Sequence, residues 1–263
     1  MPRQNIALID KSKSLHAAEL KAVSDALTVQ ANRDLKKFWP KTDASVIVLS
    51  AHAKVPTGVM PVYIGADLPE GKAGSHKDDT GTPYAIVALG DGWQIATSHE
   101  VCEMLVDPTL HLTQTAPAVQ VVHGKIRDAP GTFEYLVEVC DPSESPDHGY
   151  LIDRIPVSDF YTPHFFDAAR SAGTQYSFTR ALTAPRRVLQ GGYLSWHNPT
   201  LKVWQTLIWH HDEKPIIKTV DWTPPEGGKM SREHIDQHMG TTKHLSATHR
   251  DHPLLRRARG EKD

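Results

Sequence analysis

The chain has 263 residues, of which 23% are charged and 39% hydrophobic, and its formal net charge is -2. This length is sufficient for one large or two modest domains with hydrophobic cores, and the composition is that of an ordinary globular protein. The small net charge provides no overall field that would attract nucleic acid or an anionic membrane, and no apolar run approaches the roughly 20 residues that span a bilayer.

The first 14 residues contain a single short apolar run, residues 6–9. Asp10 and Lys11 follow it at once, so the run is too short for the apolar part of a signal peptide and has no cleavage site of small residues. The two cysteines, Cys102 and Cys140, are too few for a disulfide framework. We therefore expect a cytoplasmic protein with free thiols.

Apolar runs and polar breaks alternate along the first 108 residues, which predicts both strands and helices. A long helix is predicted over residues 15–38, with Ser14 as its N-cap and Trp39-Pro40 at its end, because the residue before proline avoids the α region. The polar, Gly- and Asp-rich stretch 67–82 predicts a surface loop. Strands are predicted over residues 6–9, 44–49, 60–64 and 84–89. This order favours a mixed sheet with two helices on one face.

Beyond Pro108 the pattern is weaker. Strands are predicted over 118–122 and 133–139, with a turn at 128–131 between them. Residues 191–196 are predicted to be irregular because glycines interrupt them, and residues 201–209 fit a strand or a short helix equally well.

Three parts are predicted for the whole chain, which we expect to be an α+β protein. Residues 1–150 form a metal-binding domain, and residues 151–223 form an irregular, β-rich part that completes a cleft. From residue 224 onward apolar residues are sparse and His, Lys, Arg and Asp dominate, so residues 224–263 are predicted to be a polar, His-rich, flexible tail.

The most informative stretch is Ser98-His99-Glu100-Val101-Cys102-Glu103-Met104, which is followed by Asp107-Pro108. Positions i and i+4 of a helix lie on one face, so His99 and Glu103 can point at one ion. An imidazole nitrogen and a carboxylate oxygen both suit zinc. Glu100 would lie beside the ion, where metalloproteases place the general base that deprotonates water bound to the metal.

A catalytic zinc site usually has three protein ligands and one open position, so a third ligand must come from another segment. Glu138 and Asp141 are favoured, because a strand end followed by Asp-Pro presents carboxylates at a fixed place. His164 is a third alternative.

Three further residues are candidates for supporting roles. Asp107 lies about 80° round an ideal helix from His99, which indicates a group at the helix end or one that supports the ligands. Tyr161 and Tyr193 are candidates for donating a hydrogen bond to a developing oxyanion.

These residues resemble those of zincin-like metallopeptidases, with His-Glu-x-x-Glu in place of the usual His-Glu-x-x-His. The resemblance covers roughly residues 5–165, through the element order, the motif and Glu138-Val139-Cys140-Asp141-Pro142. The chain is also similar to bacterial and phage-type proteins without an assigned activity, which pair a Ser-His-Glu-x-x-Glu-Met helix with segments like Val157-Ser158-Asp159-Phe160 and residues 191–196. The resemblance implies a zincin-like fold and a zinc-dependent hydrolase, most simply a peptidase with a peptide or protein substrate. It implies a metal at His99 and Glu103 and a base at Glu100.

Three other interpretations remain open at this point. In the first, the motif is a chance pattern, in which Glu100 and Glu103 are solvated and His99 caps or packs. In the second, the acidic residues Glu103, Asp107, Glu138 and Asp141 bind calcium, which takes six to eight oxygen ligands. In the third, the protein is a non-catalytic structural or interaction protein with a structural ion.

Overall fold

A computed structural model describes residues 3–66, 74–78, 81–220 and 252–261. Within them the protein is a mixed α and β structure with three α-helices and several sheets, and its C-terminal half is mostly β. No helix in these residues has both the length and the apolar character that a bilayer crossing requires.

The first sheet contains five strands: β1 (Gln4–Asp10), β2 (Ala44–Leu49), β3 (Val59–Ile64), β4 (Gly74–Lys77) and β5 (Tyr84–Val87). Their order across the sheet is β2-β1-β3-β5-β4. The first four of these are parallel, and β4 pairs antiparallel with β5 at the edge. The four strands predicted for this half are confirmed.

Two helices cover one face of this sheet: α1 (Ala17–Val29), which continues as a π-helix over Gln30–Leu35, and α2 (Trp93–Val106). The alternation of side chains along β1 separates the two faces. Ile6 and Leu8 join the core that contains both helices, whereas Ala7 and Ile9 pack on the opposite face. Because α1 and α2 also contact each other, the predicted mixed sheet with two helices on one face is confirmed.

The first helix begins later than predicted. His16, and not Ser14, occupies the N-cap position of α1. The carboxylate of Asp10 accepts hydrogen bonds from the backbone N–H groups of Lys13 and Leu15, so these residues form a turn that delays the helix.

The prediction of a surface loop over residues 67–82 is wrong for β4. Residues 67–73 and 79–80 lie outside the described part of the chain, but Gly74–Lys77 form a strand in which His76 is buried. The strand is polar because it faces other buried polar groups. Polar residues that face such groups and polar residues that face water give the same hydrophobicity pattern, so the sequence does not separate the two cases.

The second sheet is antiparallel throughout and has the order β12-β11-β10-β7-β6. A separate two-stranded ribbon is formed by β8 (Tyr150–Ile152) and β9 (Ile155–Val157). The strands of the second sheet are β6 (Thr113–Val122), β7 (Lys125–Leu136), β10 (Tyr193–Asn198), β11 (Val203–Ile208) and β12 (Ile216–Val220). This sheet combines strands from both sides of the domain boundary predicted at residue 150.

Two predictions in this half are wrong. The turn expected at residues 128–131 lies inside β7, and the chain instead reverses at His123-Gly124, where φ is 51° and 72°. Two consecutive residues with positive φ give a tight turn whose twist matches that of the two strands of a hairpin. Residues 191–196, expected to be irregular, enter β10 at Tyr193 because only Gly191 has a positive φ there.

The end of the predicted flexible tail is also different from the expectation. Residues 221–251 lie outside the described part, but Pro253–Arg259 form a helix, α3. Leu254 and Leu255 are each 4% exposed and pack against Ile95 of α2. These two leucines and the 2.7 Å contact between Nε2 of His252 and Oδ1 of Asp147 attach this segment to the rest of the protein.

A buried polar network joins α2 to two other segments. The hydroxyl of Ser98 donates to Oε1 of Gln30 and accepts from the backbone N–H of Ser158, both at 2.8 Å. The side-chain amide of Gln30 in turn donates to the carbonyl of Ser158 at 3.0 Å. All three residues are buried, so the network fixes the helix that carries the His-Glu-x-x-Glu motif.

Ser98→Ala should lower the free energy of unfolding by about 1–3 kcal/mol, because it leaves buried polar groups of Gln30 and Ser158 without a partner. Ser171→Ala, at an exposed serine, is the matched control and should change it by less than about 0.5 kcal/mol. Urea denaturation of both variants measures the difference, and equal stabilities would contradict the role of the network.

Candidate metal centre

The motif lies on a helix that is buried on all sides. Gly92, with φ of 93°, precedes α2, and Asp107 ends it. Residues 95–105 are all buried, and they include Glu100 at 6% and Glu103 at 0% exposure. The interpretation that these two glutamates are solvated is therefore wrong. Buried carboxylates need partners, because removing a charge from water is costly.

His99 contacts two of the other predicted metal ligands. Nε2 of His99 lies 3.2 Å from Oε2 of Glu103 and 3.2 Å from Oδ1 of Asp141. For comparison, ligand atoms around a tetrahedral ion with bonds of about 2.1 Å are separated by about 3.4 Å. The distances from His99 to the helical i, i+4 partner and to the carboxylate on a later segment are thus both close to this value.

Glu138 belongs to the same cluster. Ligand atoms of Glu103, Glu138 and Asp141 lie within 4.8 Å of one another. Glu138 follows β7, and Asp141 begins a 3-10 helix, Asp141–Ser143, so both candidates for the third ligand come from one turn. Between them, the backbone N–H of Cys140 donates to Oε1 of Glu103 at 3.2 Å, which holds this turn against α2.

The structure adds two residues that the sequence did not suggest. Nδ1 of His76, on β4, lies 3.3 Å from Oε2 of Glu100 and 3.6 Å from Oε2 of Glu103. Glu144 groups with His99 and Asp141. Glu144 follows Asp141-Pro142 closely and was within reach of a sequence argument, whereas nothing in the polar stretch around His76 pointed to the motif helix.

Glu100 is held between β4 and the cluster. A Cβ atom at Gly74 would collide with the carboxylate of Glu100, so the absence of a side chain at Gly74 leaves space for it. With His76 on the same strand, β4 therefore determines where the Glu100 carboxylate lies.

Burial and neighbouring charges both shift the pKa values of groups in the cluster. Burial alone would lower the pKa of His99, but the charge of Glu103 and hydrogen bonds with Asp141 and Glu103 outweigh it and raise that pKa well above its ordinary value. Burial raises the pKa of the Tyr161 hydroxyl well above its usual range, and the charges of Glu138, Glu103 and Asp141 add to the effect. Tyr161 therefore keeps its proton beside the carboxylates.

The remaining predicted residues lie in different surroundings. Asp107 accepts a hydrogen bond from the backbone N–H of Leu112 at 2.8 Å, which fits a group at the helix end. His164 has a side chain 56% exposed and pairs with Asp167, and it belongs to none of the ligand groups found in the described residues. Tyr193 is buried at the start of β10, and its suggested role stays a prediction.

Both cysteines are free and buried close to the cluster. Burial raises the pKa of the Cys140 thiol well above its usual value, and Cys102 adds to this effect. Sγ of Cys140 lies 3.8 Å from the carbonyl oxygen of His99, and its ligand atom also groups with those of His99 and Glu103. A thiol with a raised pKa is a weak ligand, because the thiolate is the form that binds metal.

No family model, no curated protein and no solved structure matches this chain. The resemblance to zincin-like metallopeptidases therefore depends on the residues and their arrangement alone.

The segment that follows β9 contains a second buried carboxyl group, that of Asp159, which lies outside the cluster. Oδ1 of Asp159 accepts from the backbone N–H of Thr179 at 2.9 Å. Burial raises the pKa of Asp159 from 3.8 to about 6, although hydrogen bonds from Thr179, Ser177 and Ser143 oppose the shift. The folded state therefore binds this proton more tightly than the unfolded state does. The Asp159 carboxyl therefore makes its full contribution to the free energy of unfolding below pH 3.8, and this contribution is lost as the pH rises through about 6.

Asp159→Asn should become more stable relative to the wild type as the pH rises from 5 to 8, by about 1.4 kcal/mol, since the amide has no charge to bury. Asp153→Asn, at an exposed position, is the control and should show no such trend. Urea denaturation at several pH values measures the difference, and a difference between variant and wild type that does not change with pH would refute the shift.

Proposed function

We propose that the protein is a zinc-dependent hydrolase of zincin-like fold, in which His99, Glu103 and Asp141 hold the ion and Glu138 is an additional ligand or supports them. The observation that carries the proposal is the convergence of Glu103 and Asp141 at 3.2 Å from the same nitrogen of His99. The helix and the turn that supply these atoms are far apart in the chain, and the atoms are buried together.

The donor atoms favour zinc over calcium. Two imidazoles, from His76 and His99, lie among the carboxylates. Calcium takes six to eight oxygen ligands, whereas zinc readily takes nitrogen and oxygen ligands together. The ion bound here would lower the pKa of water and polarise a carbonyl group.

Glu100 is the proposed general base. It lies next to His99 in sequence but points toward β4, so it is beside the His99–Glu103–Asp141 set and not part of it. His99 and Glu100 are 5% and 6% exposed, while Glu103 and Asp141 are 0% and 2% exposed. In this proposal, solvent and substrate approach from the slightly more exposed side of His99 and Glu100, where the Glu100 carboxylate takes a proton from water.

Tyr161 is the proposed hydrogen-bond donor to substrate. Its hydroxyl is fully buried, and within the described residues no hydrogen bond reaches it. The raised pKa keeps it protonated, so it has a hydrogen to donate to an oxygen that gains negative charge.

A peptide is the substrate class that best fits the surroundings. Among the described residues, β4 is the outer strand of the first sheet, and it lies beside α2. An extended peptide can add to such an edge through main-chain hydrogen bonds. The two free, buried thiols agree with a cytoplasmic location, where thiols stay reduced.

The enclosure of the cluster favours a second candidate, a non-catalytic protein stabilised by a structural ion. His76, Glu103, Glu138 and Asp141 are each at most 4% exposed. Structural ions lie in closed sites of this type, whereas catalytic ions keep one position open.

Metal analysis distinguishes a metal centre from a metal-free cluster. The purified protein should contain zinc, and a chelator should lower its melting temperature, since a ligand at 100 times its Kd adds about 2.7 kcal/mol of stability. His99→Ala and Asp141→Asn should lose this ion, which inductively coupled plasma mass spectrometry measures. Absence of zinc together with an unchanged melting temperature would refute the proposal.

Glu100→Gln distinguishes the hydrolase from the structural protein. The variant should keep the ion at His99, Glu103 and Asp141 but lose at least about 100-fold in turnover of a fluorogenic peptide library, as expected when a general base is removed. Glu213→Gln, at an exposed glutamate, is the matched control and should keep full activity. Equal rates for Glu100→Gln and the wild type would favour the structural role.

A further inference from the structure

We propose that the cluster contains a second cation position, formed by His76, Glu100 and Glu103, next to the ion of the proposed function. The inference depends on that function, because the two positions share Glu103. It adds a site and a means of regulation that the His-Glu-x-x-Glu motif alone does not suggest.

The distances around His76 repeat those around His99. Nδ1 of His76 lies 3.3 Å from Oε2 of Glu100 and 3.6 Å from Oε2 of Glu103. These values bracket the separation of about 3.4 Å between neighbouring ligands of a tetrahedral ion. The same oxygen, Oε2 of Glu103, also lies 3.2 Å from Nε2 of His99. One carboxylate oxygen therefore lies close to a nitrogen of each histidine.

The other nitrogen of His76 is an independent observation. The ring is 3% exposed, and within the described residues no hydrogen bond reaches its Nε2, which lies 4.0 Å from Oε2 of Glu138. A neutral imidazole has one N–H for its two nitrogens, so carboxylates on both sides leave one nitrogen with its lone pair toward an oxygen. A cation at Nδ1 removes this conflict, because Nε2 then carries the hydrogen and points it toward Glu138, as metal-bound histidines usually do.

The cluster contains more potential ligands than one ion takes. Five carboxyl groups take part in the candidate ligand groups: Glu100, Glu103, Glu138, Asp141 and Glu144. A catalytic zinc ion usually takes three protein ligands, so these carboxyl groups together with His76 and His99 exceed what one ion needs. The mixed nitrogen and oxygen ligands favour zinc, cobalt or manganese at this position as well.

Filling the second position changes the state of Glu100. With one ion bound, Oε2 of Glu100 keeps its hydrogen bond with Nδ1 of His76 and has a second lone pair to accept a proton from water. With both ions bound, the same oxygen is a ligand and the proposed base is lost. The second position is therefore inhibitory, and the concentration of free metal sets the fraction of protein with an available base.

Zinc titration of the metal-free full chain by isothermal calorimetry, with zinc content measured after desalting, tests the second position. His76→Ala should bind one equivalent of zinc fewer than the wild type, and His76→Gln is the replacement should the alanine variant not fold. His164→Ala, at an exposed histidine outside the cluster, is the matched control and should bind as many equivalents as the wild type.

Glu100→Gln should lose the same equivalent of bound zinc as His76→Ala and keep the equivalent that is bound at His99. His99→Ala should lose the equivalent assigned to the proposed function. Manganese loaded into the wild type should give the electron paramagnetic resonance spectrum of two coupled ions, and manganese in His76→Ala should give that of an isolated ion.

The outcomes separate the two proposals. Loss of one equivalent in His99→Ala with none lost in His76→Ala overturns the second position and leaves the proposed function standing. Weaker binding at unchanged stoichiometry in His76→Ala also overturns it, because His76 then only supports Glu103. Equal zinc content in the wild type, His76→Ala and His99→Ala overturns both proposals, since all the zinc is then bound elsewhere on the chain.

Discussion

The buried carboxylate of Glu103 is the group on which the centre of this molecule depends. It is fully excluded from solvent, and its two oxygens have different tasks. Oε1 accepts the backbone N–H of Cys140 and so attaches α2 to the turn after β7, while Oε2 faces His99 and His76. A charge at this depth is tolerated only where the surroundings compensate it. The polar character of β4 and of the turn that carries Asp141 follows from this requirement.

Much of the N-terminal half could be predicted because its apolar runs are continuous and its helices are periodic. The motif helix and its partner turn could be found for a different reason. An i, i+4 pair has only one geometry on a helix, and an Asp-Pro step after a strand places a carboxylate at a definite end of it. Glu138 and Asp141 were expected from that argument, and they lie beside Glu103.

His76 and the hairpin at His123-Gly124 could not be found in the same way. A pattern of polar residues indicates that side chains avoid a hydrocarbon core, but it does not separate water from a buried group of carboxylates. His76 therefore had the pattern of a loop residue. The hairpin was missed because Pro130-Gly131 is the stronger turn signal along the chain, although these residues lie within β7, and a β-bulge interrupts the pairing opposite them between Pro117 and Val119. In both cases contacts across the fold decided the outcome.

The position of α3 has a consequence for how the protein is made. Leu254 and Leu255 cover Ile95, near the start of the helix that carries the motif, although nearly 160 residues separate them. During translation α2 leaves the ribosome long before this cover exists, and the second sheet likewise closes only when β12 has been synthesised. Such long-range contacts slow folding. The helix that carries the motif therefore lacks this cover until the last of the described residues has been synthesised.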